Sequence, residues 1–144
     1  MPNFFSDIGQ QPARAPRFGG VIGRRAKFTA PAGLVAADTV TLFKVPKGAV
    51  PLYGVLRNDI LATTVTVDIG WGGGTIDSVA EDPDAFIDGF NAASAGDTEF
   101  NLVAGMIDRA PLDAERPLLL TYVTLATPTT GADFVVSFMY LLTA

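Results

Sequence analysis

The sequence contains no cysteine and no histidine among its 144 residues. Without cysteine there is no disulfide, no thiolate metal site and no cysteine nucleophile. Without histidine the chain lacks the commonest general base, so Ser–His–Asp and Cys–His catalytic systems are excluded. We therefore predict that the protein is not an enzyme and that it holds no cofactor.

Charged side chains are also scarce, at 17% of the residues against 49% hydrophobic ones. This composition excludes a mainly disordered chain and indicates one domain with a substantial core. No apolar run approaches the roughly 18 residues of a membrane span, and the first residues lack the pattern of a secretory signal. We expect a protein that is made in the cytoplasm and has no membrane partner.

The few charges are unevenly distributed along the chain. Residues 1–27 carry five basic side chains against Asp7 alone, a net +4, whereas the remaining residues hold 5 basic and 14 acidic side chains, a net −9. Such an asymmetry usually concerns partners. The basic side chains could contact nucleic-acid phosphates, but the acidic body opposes this, so we do not expect nucleic acid as a partner.

Residues 1–25 are predicted to form an extended basic arm. Prolines and glycines interrupt the segment and oppose regular structure, while spaced apolar side chains suit docking along another surface. A floppy terminus is the alternative. The residues assigned to partner binding through this arm are Phe4, Phe5, Arg14, Arg17, Phe18, Arg24 and Arg25.

Residues 26–144 are predicted to form an all-β domain. The stretch 63–71 alternates apolar and polar residues, which is typical of a half-buried strand. About seven to eight antiparallel strands with turn-rich links and one short helix predict a sandwich or jelly roll. The predicted strands are residues 26–30, 39–45, 51–59, 63–71, 99–106, 117–126 and 133–142.

The short helix is predicted in the segment EDPDAFIDGFNAAS, which begins at Glu81. Asp82 is a suitable N-cap and Pro83 suits the first helical position. Phe86 and Phe90 are four residues apart and would share one helix face. The helix is expected to pack on the body through these two phenylalanines.

The last two strands are apolar on both faces, which antiparallel strands with one solvated face are not. A turn sequence, TPTTG, separates them and predicts a hairpin. The second apolar face therefore needs a cover, for which we favour another subunit over the arm or the helix. The predicted interface residues are Leu119, Val123, Leu125, Val135, Met139 and Leu141.

The glycine-rich stretch DIGWGGGTID, residues 68–77, does not fit a phosphate site. A Walker loop needs a lysine after its last glycine, and the dinucleotide fingerprint would need glycine where Thr75 stands. We interpret the glycines as the way the chain leaves a strand after Trp71. Nearby acids leave two further hypotheses, a calcium site using Asp77, Asp82 and Asp84, and a carboxylate hydrolase using Asp82 and Asp84.

Three consecutive stretches resemble a family of known proteins. They are VTLFKVPKGAVPLYGVLRND at 40–59, TVTVDIGWGGGTID at 64–77 and DPDAFIDGFNAASAG at 82–96. Together they are similar to the head decoration, cement or capsid-fibre proteins of tailed bacteriophages. The proline- and arginine-rich segment near the start has no counterpart in that resemblance.

The resemblance implies a β-sandwich on the exterior of the virion that binds the major capsid protein. It also implies association with other copies of itself, for instance as a trimer. An alternative is a receptor- or glycan-binding module of a phage fibre or tail, in which Tyr53, Trp71 and Tyr122 would offer aromatic platforms for sugars.

Overall fold

The fold is that of a computed structural model, which describes residues 3–10, 20–59, 65–92, 95–100, 112–125 and 132–142. These ranges contain β-strands and no helix. The strands are β1 (Asn3–Phe5), β2 (Gly20–Thr29), β3 (Thr39–Val45), β4 (Ala49–Asn58), β5 (Val65–Trp71), β6 (Asp82–Asn91), β7 (Gly96–Glu99), β8 (Arg116–Leu125) and β9 (Asp133–Leu142). The all-β prediction is confirmed.

The nine strands form two sheets. The front sheet has the order β1-β3-β8-β5-β6, and the back sheet has the order β2-β9-β4-β7. All neighbours are antiparallel except β1 and β3, which run parallel. Alternate residues of each strand point into one shared core, so the architecture is that of a β-sandwich.

The core between the sheets is rich in aromatic rings that meet around Phe138 of β9. Its ring centroid lies 5.7 Å from that of Phe86, 5.8 Å from that of Phe100 and 5.9 Å from that of Trp71. The ring centroid of Phe43, in the front sheet, lies 6.0 Å from that of Phe138. Aromatic pairs at these separations stabilise beyond the area that they bury.

The segment predicted as a short helix is strand β6, so that prediction is wrong. β6 pairs with β5 in an irregular register, with extra residues on β6. Gly89 has φ of 67°, and its N–H donates to the Asp68 carboxylate at 2.6 Å. At Gly70 a side chain would collide with the carbonyl oxygen of Asp82, 2.2 Å from an ideal Cβ position. Pairing with a distant strand thus overrides the local helix signals.

The predicted N-terminal arm is also not supported, because part of it belongs to the sandwich. Residues 3–5 form β1 on the edge of the front sheet, and residues 20–25 form the first half of β2 in the back sheet. The ring of Phe4 lies 6.1 Å from that of Phe28, in the core. Extended conformation was the correct element of the prediction, since pairing with β3 and β9 needs it.

The last two strands do not form a hairpin. β8 pairs with β3 and β5 in the front sheet, whereas β9 pairs with β2 and β4 in the back sheet. Each is an interior strand of its own sheet and contributes its inward side chains to the shared core.

Replacing Phe138 tests its central place in the core. Phe138→Ala removes a fully buried ring and leaves a cavity between the sheets, so we expect the free energy of unfolding to fall by about 3–5 kcal/mol. Met139→Ala, at the next position on the opposite face, should cost about 1 kcal/mol or less. Urea unfolding followed by Trp71 fluorescence measures both. Equal losses for the two variants would contradict the proposed packing.

Candidate interaction surfaces

The glycine run after β5 is held by a buried arginine. The Arg116 side chain, at the start of β8, is 2% exposed. Its Nη1 donates to the carbonyl oxygens of Gly72 and Gly74, each at 2.9 Å, and its Nη2 donates to that of Val79 at 3.0 Å. One guanidinium thus binds three backbone carbonyls of the loop. We call residues 72–81 with Arg116 the clamped loop.

The remaining bonds of Arg116 go to Asp113. The guanidinium donates to both carboxylate oxygens, at 3.1 and 3.2 Å. This hydrogen bonding lowers the pKa of Asp113 below its ordinary value. The carboxylate thereby balances the buried positive charge, and a planar fork is the side chain suited to bidentate pairing.

The tip of the clamped loop is a tight hairpin turn. Ile76 and Val79 exchange backbone hydrogen bonds at 2.9 Å in both directions. Asp77 and Ser78 between them have φ of 50° and 66°, the positive values that a two-residue type I′ turn needs. Lower in the loop, the N–H of Gly74 donates to the Glu81 carboxylate at 2.8 Å.

In this geometry two N–H groups of the glycine run are already bonded within the chain. A phosphate loop presents free N–H groups, whereas here the N–H of Gly72 donates to Pro117 at 2.9 Å and that of Gly74 is taken by Glu81. The run lets the chain leave β5. Sequence reasoning missed Arg116, because the three backbone carbonyls that it binds lie more than 35 residues away in the chain.

Acidic side chains line the outer edge of the front sheet along β5 and β6. Burial raises the pKa of Asp68, to which Asp88 and Asp84 add repulsion. Two causes raise the pKa of Asp82: burial, which is the larger, and a hydrogen bond with Asp84. Among the described residues no three acidic side chains are grouped to hold a metal ion. The carboxylates of Asp77, Asp82 and Asp84 are therefore not assembled into the hypothesised calcium site.

The predicted subunit interface is divided between two opposite faces. Leu119 and Val123 lie on the outer face of the front sheet, whereas Val135, Met139 and Leu141 lie on the outer face of the back sheet. Val123 is 45% exposed and Met139 is 40% exposed. The side chain of Leu125 lies outside the described residues. The predicted interface residues therefore belong to two separate surfaces, and their role in a subunit contact stays a prediction.

The outer face of the back sheet also contains a shallow groove of about 310 Å³. Arg57 in the groove pairs with both carboxylate oxygens of Asp97, at 2.7 and 3.1 Å. This hydrogen bonding lowers the pKa of Asp97. The lining residues are Arg25, Val55, Arg57, Asp97, Val135 and Ser137.

The residues predicted to bind a partner through the arm have different environments. Arg24 is buried, with its guanidinium carbon 5.2 Å from the centre of the Phe43 ring, so it supports the core. Phe4 is half-buried, whereas Phe5, 42% exposed, and Arg25 face solvent. Arg14, Arg17 and Phe18 lie outside the described residues, and their partner-binding role stays a prediction.

The three aromatic residues of the glycan hypothesis do not form a platform. Tyr122 is fully buried, and burial, followed by repulsion from Asp38, raises the pKa of its phenol. Trp71 packs edge-on against Phe86, with ring centroids 5.1 Å apart. Only Tyr53 of the three is an exposed side chain, and its hydroxyl donates to Glu99 at 3.1 Å. The described part of the chain also has no helix long and apolar enough to span a membrane.

Arg116→Lys tests the clamped loop. A lysine cannot bind three carbonyls and a carboxylate together, so buried acceptors lose their partner and the free energy of unfolding should fall by about 2–4 kcal/mol. The matched control is Arg57→Lys, whose exposed pair with Asp97 should leave the urea midpoint unchanged within error. Equal midpoints for wild type and Arg116→Lys would contradict a stabilising role for the clamp.

The raised pKa of Asp82 on the acidic edge predicts how the stability of the fold depends on pH. The pKa of Asp82 is raised on folding, so its ionisation destabilises the fold as pH rises through and above the ordinary value of 3.8. Asp82→Asn should therefore raise the melting temperature at pH 7, with a gain that shrinks in acid. Asp97→Asn is the control, because hydrogen bonding to Arg57 lowers its pKa and the pair is exposed; its melting temperature at pH 7 should not rise. A destabilising Asp82→Asn would contradict the assignment.

Comparison with known proteins gives a consistent structural result. No protein-family model matches the chain, and no curated protein matches it either. A chain in the capsid of Ralstonia phage GP4 has a TM-score of 0.80 at 19% identity and covers 99% of both chains. A chain of the cyanophage Pam1 capsid asymmetric unit has a TM-score of 0.67 at 19% identity, with 95% of this chain and 97% of that chain covered.

A third similarity is weaker but of the same kind. A chain from the acidic stable capsid of Helicobacter pylori bacteriophage KHP30 has a TM-score of 0.53 at 13% identity, over 86% of this chain and 89% of that chain. At such identities the likeness concerns the fold. The chain therefore shares, over almost its full length, a fold that occurs in phage capsids.

Proposed function

We propose that the protein is a phage virion structural protein that binds the surface of the assembled capsid and decorates or cements it. The observation that carries the proposal is the full-length likeness to a chain of a phage capsid, with 99% of both chains covered. The two chains therefore share one fold over almost their whole length. A fold alone does not specify a function, so the surfaces must supply the rest of the argument.

The outer face of the front sheet is the surface proposed to meet the major capsid protein. Val123 and Phe5 are exposed there at 45% and 42%, where a solvated sheet would carry polar side chains. The acidic residues of β5 and β6 lie at the far edge of the same sheet. Apolar side chains bounded by charges are typical of a protein-binding surface.

The proposed role needs binding and no chemistry. The catalytic hypothesis placed Asp82 and Asp84 at a hydrolytic centre, but both are exposed residues of the same strand, β6, whereas glycosidase carboxylates flank a bond from two sides. A ligand that binds only the assembled shell stabilises that shell by mass action. Many copies on one particle, with contacts between copies, add avidity.

Co-sedimentation with capsids tests the proposal. Purified wild-type protein should pellet with capsids of its phage that lack it, and Val123→Glu should weaken this binding by at least about tenfold, because a charge would be buried at the interface. Val135→Glu is the matched control on the back sheet and should bind as wild type does. Wild-type protein that stays in the supernatant would refute the function, and equal binding of both variants would refute the chosen face.

The predicted role of the basic segment is tested separately. Replacing Arg14 and Arg17 by serine changes no residue of the described strands and should weaken capsid binding more at low salt than at high salt, since salt screens attraction between charges. Arg57→Ser is the control for loss of a surface charge elsewhere. Salt-independent binding that the double variant shares with wild type would exclude a contribution of the segment.

A further inference from the structure

The outer edge of β2 differs from the other sheet edges that the structure describes. β1 has three residues and β7 has four, while β6 contains Pro83 and pairs irregularly. Short strands, prolines and bulges are the usual protections against pairing between sheet edges. β2, by contrast, pairs with β9 over ten consecutive residues without a register shift. It therefore presents a long and regular edge.

Alternate residues of β2 direct their backbone groups away from β9. The N–H of Ala30 donates to Ala132 at 2.8 Å, which places the even-numbered residues of β2 in hydrogen-bonded pairs with β9. Lys27, an odd-numbered residue, instead exchanges bonds with Asp7 on its other side, at 2.8 and 3.0 Å. The residues around Asp7 thus cover one end of the edge.

At the other end of the edge, the outward backbone groups have no backbone hydrogen-bond partner among the described residues. Val21, Gly23 and Arg25 have the same parity as Lys27, so their N–H and C=O groups point away from β9. No described residue forms a backbone hydrogen bond with these outward groups. An unpaired strand edge is a template for a strand of another chain.

We infer that this edge pairs with the same edge of a second copy, antiparallel and about a two-fold axis at Gly23. In that register Val21 of one copy faces Arg25 of the other, so the two arginines are kept apart instead of lying opposite each other. Three hydrogen-bonded residue pairs then form about six backbone hydrogen bonds. The two back sheets become one continuous sheet, which is a closed, isologous contact.

The side chains beside the edge favour this occupant. An ideal Cβ at Gly23 would lie 3.9 Å from the Met139 Cγ, so the methionine lies beside the space that the glycine leaves. Tyr53, opposite Met139 in the register, is also exposed, at 40%. Met139 and Tyr53 form an apolar strip beside the edge. Because glycine stands at the axis in both copies, this strip of one subunit continues into the same strip of the other. Val21, 55% exposed, would be covered at the same time.

The inference deepens the oligomer contact of the proposed function and rests on it, but it specifies a dimer where the sequence suggested a trimer as one example. The dimer can be tested apart from the proposed function, because it forms without a capsid. A wild-type protein that is monomeric and still binds capsids would overturn the inference and leave the function standing. A dimer that never binds capsids would do the reverse.

The first experiment compares Gly23→Pro with Gly23→Ala in the full chain by sedimentation equilibrium from about 1 to 100 μM. Proline removes an outward N–H that β9 does not use, so the monomer fold should persist while dimerisation weakens at least tenfold. Alanine keeps the donor and meets Met139 only in ordinary contact, so it should dimerise as wild type does. Circular dichroism checks that both variants are folded. A monomeric wild type, or equal dimerisation of wild type and Gly23→Pro, overturns the inference.

The second experiment uses the absence of cysteine from the chain. Gly23→Cys places one thiol from each copy at the axis, and oxidation should give a disulfide-linked dimer, since directly opposed strand residues are within bridging distance. Val123→Cys on the front sheet is the exposed control and should cross-link far less. Equal cross-linking overturns the inference. So does a wild-type monomer in which the amides of Val21, Gly23 and Arg25 resist hydrogen exchange, because a segment of the same chain would then occupy the edge.

Discussion

The contact of Phe138 with rings from both sheets is the constraint on which the rest of the molecule depends. β9 is an interior strand of the back sheet and pairs with β2 and β4. Its inward ring meets Phe43 and Phe86 of the front sheet and Phe100 beside β7. The outward side chains of both sheets are therefore fixed on a rigid double layer. Surfaces for partners can be apolar because the core does not need those residues.

The sequence predicted the fold class because its evidence is local. Alternation at residues 63–71 and the spacing of prolines and glycines are signals that a strand and its turns produce by themselves. The helix prediction failed because Asp82, Pro83 and the two phenylalanines satisfy helix rules locally. Only the pairing with β5, and the contact of the Gly70 backbone with Asp82, decide for a strand. Those are contacts between distant residues, which a single sequence does not display.

The candidate surfaces were predictable in the same limited sense. Two-faced apolar strands correctly indicated that β8 and β9 carry exposed apolar residues, since Val123 and Met139 are both exposed. The assignment of these residues to one interface needed the topology, which puts β8 and β9 in different sheets. The clamp of Arg116 had no sequence signal, because backbone carbonyls leave no trace in residue identity. Side chains that bind main chain are the part of a site that is hardest to infer.

The clamp has a consequence for how the loop can change over time. Arg116 recognises carbonyl oxygens at residues 72, 74 and 79, and every amino acid has a carbonyl oxygen. The side chains of Thr75, Val79 and Ala80 are therefore not needed to hold the loop in place. Asp77 and Ser78 keep only the demand for positive φ. Mutation can therefore change the side chains that the clamped loop exposes while the backbone of the loop keeps its shape.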